Sequence, residues 1–385
     1  MSDRVLPTFT LSWGPTPTTC AFAASAARHC LRLLSAQSTM SALVTVVALS
    51  TPVSVAGQTR AAREPAKKTA ATTTWRPPLT PYGQPDLQGV WVNNSSTPVE
   101  RPKALEGRQF LTDGEVAELK NRADRLFDEG HSDFAAGDNI FLAALANPER
   151  YINPNSTDSS RGMVKKDFDN RTSLITDPPD GKIPPLTPQA RRRQTEADAA
   201  RPRLPEGPED LNNALRCVTY GVPRVGGRFA DPDFGRYAIL QAPGYVVLMM
   251  ESIHDARIVP LDGRPHLPPR LRRWSGDSRG RWEGNTLVVD TTNFSPQSNF
   301  MGSAENLHLI ERFTRVASDT IAYEFTVDDP TTWTKPWTAA IRLTPTPDQL
   351  YEFACHEGNF DTMQGILLGA RAEEKAAEGA AKGPK

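Results

Sequence analysis

Seven segments decide the fold: residues 245–251 (YVVLMME), 256–261 (ARIVPL), 286–292 (TLVVDTT), 307–316 (LHLIERFTRV), 320–327 (TIAYEFTV), 339–343 (AAIRL) and 350–355 (LYEFAC). Each is rich in Val, Ile, Leu, Phe, Tyr or Thr and is bounded by Gly, Asp, Asn, Ser or Pro, the pattern of short strands between tight turns. Such a run makes an antiparallel meander, which must close on itself or stack on a second sheet to hide its edges. The expected class is mainly β: an antiparallel meander forming a barrel or sandwich over residues 220–360, with a Pro-rich wrapping arm and one or two peripheral helices.

Side chains alternate across a strand, so each segment has two faces. In 307–315, Leu307, Leu309 and Phe313 share a face with Glu311 and Arg315, while His308, Ile310, Arg312 and Thr314 take the other. In 320–328, Ile321, Tyr323, Phe325 and Val327 oppose Ala322, Glu324, Thr326 and Asp328. In the last segment Tyr351, Phe353 and Cys355 oppose Glu352, Ala354 and His356. One face is therefore apolar, and the other bears His308, Arg312, Glu324, Glu352 and His356. Two arrangements satisfy this: a polar face turned to solvent, the ordinary one, or a polar face lining a lumen as a charged pocket.

Outward from this core the chain changes character. Residues 41–50 (SALVTVVALS) follow Arg28 and Arg32 and lead to Ser54-Val55-Ala56, a signal-peptide pattern that makes residues 1–56 a leader. The long stretch before the apolar run leaves Met40 as an alternative start. Residues 57–74 are small, polar and aperiodic and read as a flexible linker. Residues 75–219 form the arm: a first strand at Leu87–Trp91, a helix over 112–130 opened by the capping pair Thr112 and Glu115, and a second helix from Thr187-Pro188 to about Ala200. The chain has 34 prolines, well above the usual ~5%, which favours long extended connections. Residues 361–385 read as a short helix and disordered tail.

The formal charge is −1, and losing Arg4, Arg28, Arg32 and Asp3 with the leader takes it to −3. Without a basic block there is no nucleic-acid footprint, and no later segment is apolar enough to span a membrane. The expected location is periplasmic or secreted. Of four cysteines only Cys217 and Cys355 lie beyond the leader; they read either as a disulfide in an oxidising compartment or as two buried thiols.

Residues 276–280 (GDSRG) match G-x-S-x-G, but a nucleophile elbow needs a strand before the serine and a helix after it. A hairpin turning at Glu283-Gly284-Asn285 follows instead, although Asp290, His308 and His356 lie downstream as partners. Histidines are few. His254-Asp255 sits at a turn, His266 in a rigid Pro-rich loop, His308 inside a strand and His356 at a strand end. Gathered at one mouth of a barrel, histidines and carboxylates would serve acid–base chemistry or zinc, though no dense ligand motif is present. Trp282, Trp333 and Trp337 are candidate ligand platforms if exposed and core plugs if buried. Asp328 and Asp329 are too few for a calcium loop.

The segments 85–91 (PDLQGVW), 171–188 (RTSLITDPPDGKIPPLTP), 262–269 (DGRPHLPP), 276–290 (GDSRGRWEGNTLVVD), 305–315 (ENLHLIERFTR), 323–337 (YEFTVDDPTTWTKPW) and 351–359 (YEFACHEGN) resemble, in order, those of a large group of exported bacterial proteins without an established activity. The resemblance covers about residues 75–375. It implies export and a β-rich body and transfers no activity, cofactor or catalytic residue. Gly89-Val90-Trp91 is also similar to the first strand of lipocalin-like barrels.

The first functional expectation is an exported enzyme acting on a small organic molecule or glycoside by acid–base or metal-assisted chemistry. Its site would draw on His254, Asp255, His266, His308, Arg312, Glu324 and His356. The alternatives are a periplasmic small-molecule-binding barrel without chemistry and a cell-envelope interaction module. The sequence specifies no cofactor.

Overall fold

The computed structural model describes residues 75–126, 137–149, 167–200, 204–223 and 236–381. The leader, the linker, the expected helix end at 127–130 and His131 lie outside the described residues.

Among the described residues ten strands form one sheet: β1 (Gly89–Val92), β2 (Ile175–Asp177), β3 (Arg236–Ala242), β4 (Tyr245–Met250), β5 (Ala256–Pro260), β6 (Asp277–Glu283), β7 (Thr286–Thr292), β8 (His308–Ala317), β9 (Thr320–Asp328) and β10 (Trp337–Pro345). Nine follow the order β5-β4-β3-β1-β10-β9-β8-β7-β6, with β2 also paired to β10, and every pairing is antiparallel. The order explains the shape. The two meanders β3–β5 and β6–β10 are joined through β1, and the sheet curls until its end strands β5 and β6 meet. At Gly280 of β6 an added Cβ would lie 2.5 Å from Leu261 Cδ2 and 2.8 Å from Val259 Cγ1. Only glycine permits so close an approach, and the barrel is nearly closed there.

The apolar strand faces point inward. Trp91, Ile239, Leu248, Leu309, Phe325 and Ile341 belong to a single buried cluster, so the lumen is a packed core and the polar face is the outside of the barrel. Trp333 is 2% exposed and Trp337 0%. Their rings pack edge to face at 5.7 Å, and Phe300 stacks on Trp337 at 6.1 Å. Of the two readings of these residues, exposed platform or core plug, the buried one holds: β10 begins at Trp337 and carries it into the core.

One charged pair crosses this interior. Arg257 of β5 donates from Nη1 and Nη2 to Glu311 of β8, at 2.5 and 2.9 Å, and the Tyr323 hydroxyl donates to Glu311 Oε1 at 2.7 Å. A buried carboxylate is tolerated only with such partners. Burial, and then the Glu311 charge, push the Tyr323 phenol well above its ordinary range.

Among the described residues four α-helices accompany the sheet: α1 (Asp113–Leu126), α2 (Gly137–Ala146), α3 (Pro188–Ala200) and α4 (Asn359–Ala381). The expected cap on α1 is present. The Thr112 backbone amide and hydroxyl donate to Glu115 Oε2 at 2.8 and 2.9 Å, and the Glu115 amide donates to Thr112 Oγ1 at 3.3 Å. A second small core joins Leu119 and Ala123 of α1 to Phe141 and Ala144 of α2 and to Phe168. The Pro-rich arm lies on the barrel where the Thr187 amide donates to Thr332 O at 2.9 Å and the Thr334 amide to Pro185 O at 3.0 Å.

Two expectations are corrected. Residues 350–355 are not a strand. β10 already has β9 on one side and β1 with β2 on the other, so no sheet edge beside it remains for this segment. It crosses instead to Cys217, and Cys217 and Cys355 form a disulfide with Cα atoms 5.8 Å apart. The expected short terminal helix is a 23-residue one, consistent with the helix propensity of its Ala, Glu and Lys.

Candidate functional site

The outer wall of β6, β7 and β8 carries a linked group of titratable side chains. Arg279 of β6 lies opposite Asp290 of β7, which lies opposite Ile310 of β8. Strand parity therefore puts Asp277, Arg279, Asp290 and His308 on one face. His266 reaches this face from the segment between β5 and β6. That segment is tied down at three points: Arg279 Nε donates to Pro265 O at 3.0 Å, the Leu267 amide to Asp277 Oδ2 at 2.9 Å, and Asn293 Nδ2 to Leu267 O at 2.7 Å. Pro265, Pro268 and Pro269 stiffen it further.

The result is a chain of four groups. His266 Nδ1 is 3.1 Å from Asp277 Oδ2, and its Nε2 is 3.1 Å from Asp290 Oδ1. His308 Nε2 is 3.0 Å from the same Asp290 oxygen. Asp277 is 2% exposed and also accepts from Arg279 Nη1 at 2.9 Å. His308, with its side chain 38% exposed, is the most exposed member, ahead of His266 at 28% and Asp290 at 27%.

The electrostatics follow from this geometry. Burial alone would push the Asp290 carboxyl up, but the hydrogen bonds and charges of His308 and His266 hold it below the usual aspartate range. The hydrogen bond that His308 donates to Asp290 raises the ring above the ordinary histidine value near 6.5, against the opposing effect of partial burial. The charges of Asp290 and Asp328 add to the rise, and Asp328 is the cross-strand neighbour of His308 in β9.

Of the candidates read from the sequence, only His266 and His308 meet here. Arg312 shares the outer face but donates to Glu283 Oε2 at 2.7 Å. Glu324 faces Arg312 across the ladder and is exposed. Asp255 accepts from Thr219 at 3.1 Å and Ser275 at 2.9 Å, a tie between loops. His356 is exposed in the turn after Cys355, and among the described residues no hydrogen bond joins it to His308. Among the described side chains, the histidines brought together are His266 and His308, through Asp290. The backbone of His254 ends a short 3-10 turn; its side chain lies outside the described residues. Trp282 is half-buried against the core. Ser278 sits within β6, 6% exposed, with its hydroxyl 2.9 Å from that of Thr291, so the G-x-S-x-G pattern makes no nucleophile elbow.

Asp277 and Asp290 complete the chain. Asp290 had appeared only as a partner for that serine, and Asp277 not at all. Their alternation with buried Ser278 and Val289 marked them as outward-facing, but only the fold of the 261–276 segment brings His266 between them. Among the described residues no group of three His, Cys, Asp or Glu side chains is placed to hold a metal ion, and no helix is long and apolar enough to cross a membrane. Comparison with protein-family models, curated proteins and solved structures returns no match to the chain.

Proposed function

We propose that the protein is an exported enzyme that uses His308, oriented by Asp290, as an acid–base group on a small polar molecule. The observation that carries this reading is the pair itself. His308 presents a part-exposed ring with Nε2 held 3.0 Å from Asp290 Oδ1, and Asp290 is steadied from behind by His266. A carboxylate on one ring nitrogen sets the tautomer: Nε2–H donates to Asp290, and Nδ1 is left as the base. Return of the proton from Nδ1 makes the same residue the acid. Export is supported by the leader-like residues 41–56 and by the disulfide, a bond that persists in oxidising compartments.

The test is turnover of a panel of chromogenic esters, lactones and glycosides by the chain without its leader. Substituting His308→Ala should lower kcat by roughly 100-fold or more, and Asp290→Asn should lower it while leaving the fold intact by circular dichroism. Undiminished turnover in a folded His308→Ala protein contradicts the assignment.

A further inference from the structure

A second feature lies away from this pair and shares no residue with it. The segment 205–221 and the loop carrying Gln297 and Asn299 enclose a cleft of about 950 Å³. Its wall is rigid. Asn213 Nδ2 donates to Gln297 O at 3.0 Å, Asn359 Nδ2 to Leu215 O at 2.7 Å, and Thr219 is tied to Asp255. The Cys217–Cys355 disulfide anchors the segment next to Arg216.

Arg216 is the unusual member. Its Nη2 donates to Asn213 Oδ1 at 2.7 Å, but its Nε is buried with no hydrogen-bond partner. Among the described residues no carboxylate pairs with it. A guanidinium carries five donors in a planar fork matched to a carboxylate. Its Nε is closed off from the cleft, so a carboxylate entering the cleft would be met by the other donors of the fork. The rest of the lining narrows the class of ligand. Asn212, Gln297 and Asn299 offer amide donors and acceptors, Glu209 and Asp210 carboxylate acceptors, the latter already taking the Glu206 and Gly207 amides, and Tyr220 an aromatic ring that packs edge-on against Phe353. Amides and carboxylates suit hydroxyl groups, and an aromatic face suits the apolar side of a sugar ring.

We infer that this cleft is a binding site for a small polyhydroxylated carboxylate of the sugar-acid class, with Arg216 as its anion-recognising residue. The experiment is isothermal titration of the leaderless chain with glucuronate, with glucose and acetate as the two half-ligands, and with backbone amide shifts mapped by NMR. The inference expects saturable glucuronate binding, each half-ligand at least tenfold weaker, and shifts centred on Asn212, Arg216 and Gln297. Arg216→Gln should lose at least tenfold and Arg216→Lys less, both with the wild-type Tm. His308→Ala should bind as wild type, which separates this site from the proposed acid–base pair. Absence of saturable glucuronate binding at millimolar concentration, glucose binding as tight as glucuronate, or shifts centred elsewhere would each overturn it.

Discussion

Glu311 is 1% exposed in the middle of a hydrophobic barrel, and its ionised partner Arg257 comes from the far end of the sheet. A pair of this kind is weak evidence for stability but is expensive to break, because the survivor is left charged and unpaired. Glu311→Ala or Arg257→Ala should each cost about 3–5 kcal/mol in chemical denaturation. The double change Arg257→Met with Glu311→Leu should recover most of that. Tyr323→Phe, which removes one hydrogen bond to a charged group, should cost about 1.5–3 kcal/mol. A double variant as unstable as the single ones would show that the pair adds stability beyond what apolar packing supplies. The signal for this network was present in the sequence: Glu311 alternates with Leu309 and Phe313, and Arg257 with Val259. What periodicity does not show is which two inward charges meet across a closed barrel.

At the scale of elements, the candidate site depends on how the segment between β5 and β6 is turned onto the barrel wall. Gly276 ends that segment with φ +69°, and an added Cβ would lie 2.6 Å from Thr291 Cγ2 and 2.8 Å from Thr292 O. Gly276→Ala should therefore cost more than about 1 kcal/mol in denaturant unfolding, and, because Asp277 follows directly, it should also disturb the His266 resonances. An unchanged midpoint would mean that the turn relaxes without strain. The strands β7, β8 and β9, the hairpin turning at Gly284-Asn285 and the cap of α1 were all legible, because period-two alternation and turn residues are local signals. Residues 350–355 alternate equally well and still form no strand, since pairing requires a vacant sheet edge and none remains beside β10. The helix α2 was missed for the opposite reason. Its Ile140-Phe141-Leu142-Ala143-Ala144-Leu145 is apolar all round, so no 3.6-residue stripe stands out.

For the whole molecule, two long-range devices tie distant segments of the described residues together. One is the contact of β5 with β6 at Gly280. The other is the Cys217–Cys355 disulfide, which links positions 138 residues apart. In the chain-entropy account a loop of that length stabilises by about 4–5 kcal/mol. Cys217→Ser with Cys355→Ser should thus lower the unfolding free energy by about that amount and loosen the cleft around Arg216. Loss of less than about 1 kcal/mol would show that the reduced chain keeps the same constraint by packing.

Charge linkage gives the acid–base pair a signature that also extends over the whole molecule. The folded His308 pKa is raised, so its stabilising contribution is fully present below the ordinary value near 6.5 and is lost as pH rises through the folded value. Asp290 is lowered, so its contribution is present above the ordinary aspartate range and is lost as pH falls through its folded value. The base form of His308 appears over the same interval in which its stabilising charge disappears. The acidic limb of the rate profile should therefore lie above pH 6.5.

The most direct measurement is the pH titration of the His308 ring by NMR in the wild-type chain and in Asp290→Asn. The His308–Asp290 pairing predicts a wild-type midpoint above 6.5 that falls in Asp290→Asn, with the Nε2–H tautomer dominant once the ring is neutral. A wild-type midpoint at or below the ordinary histidine value, or one unmoved by Asp290→Asn, would contradict the pairing on which the proposed chemistry rests.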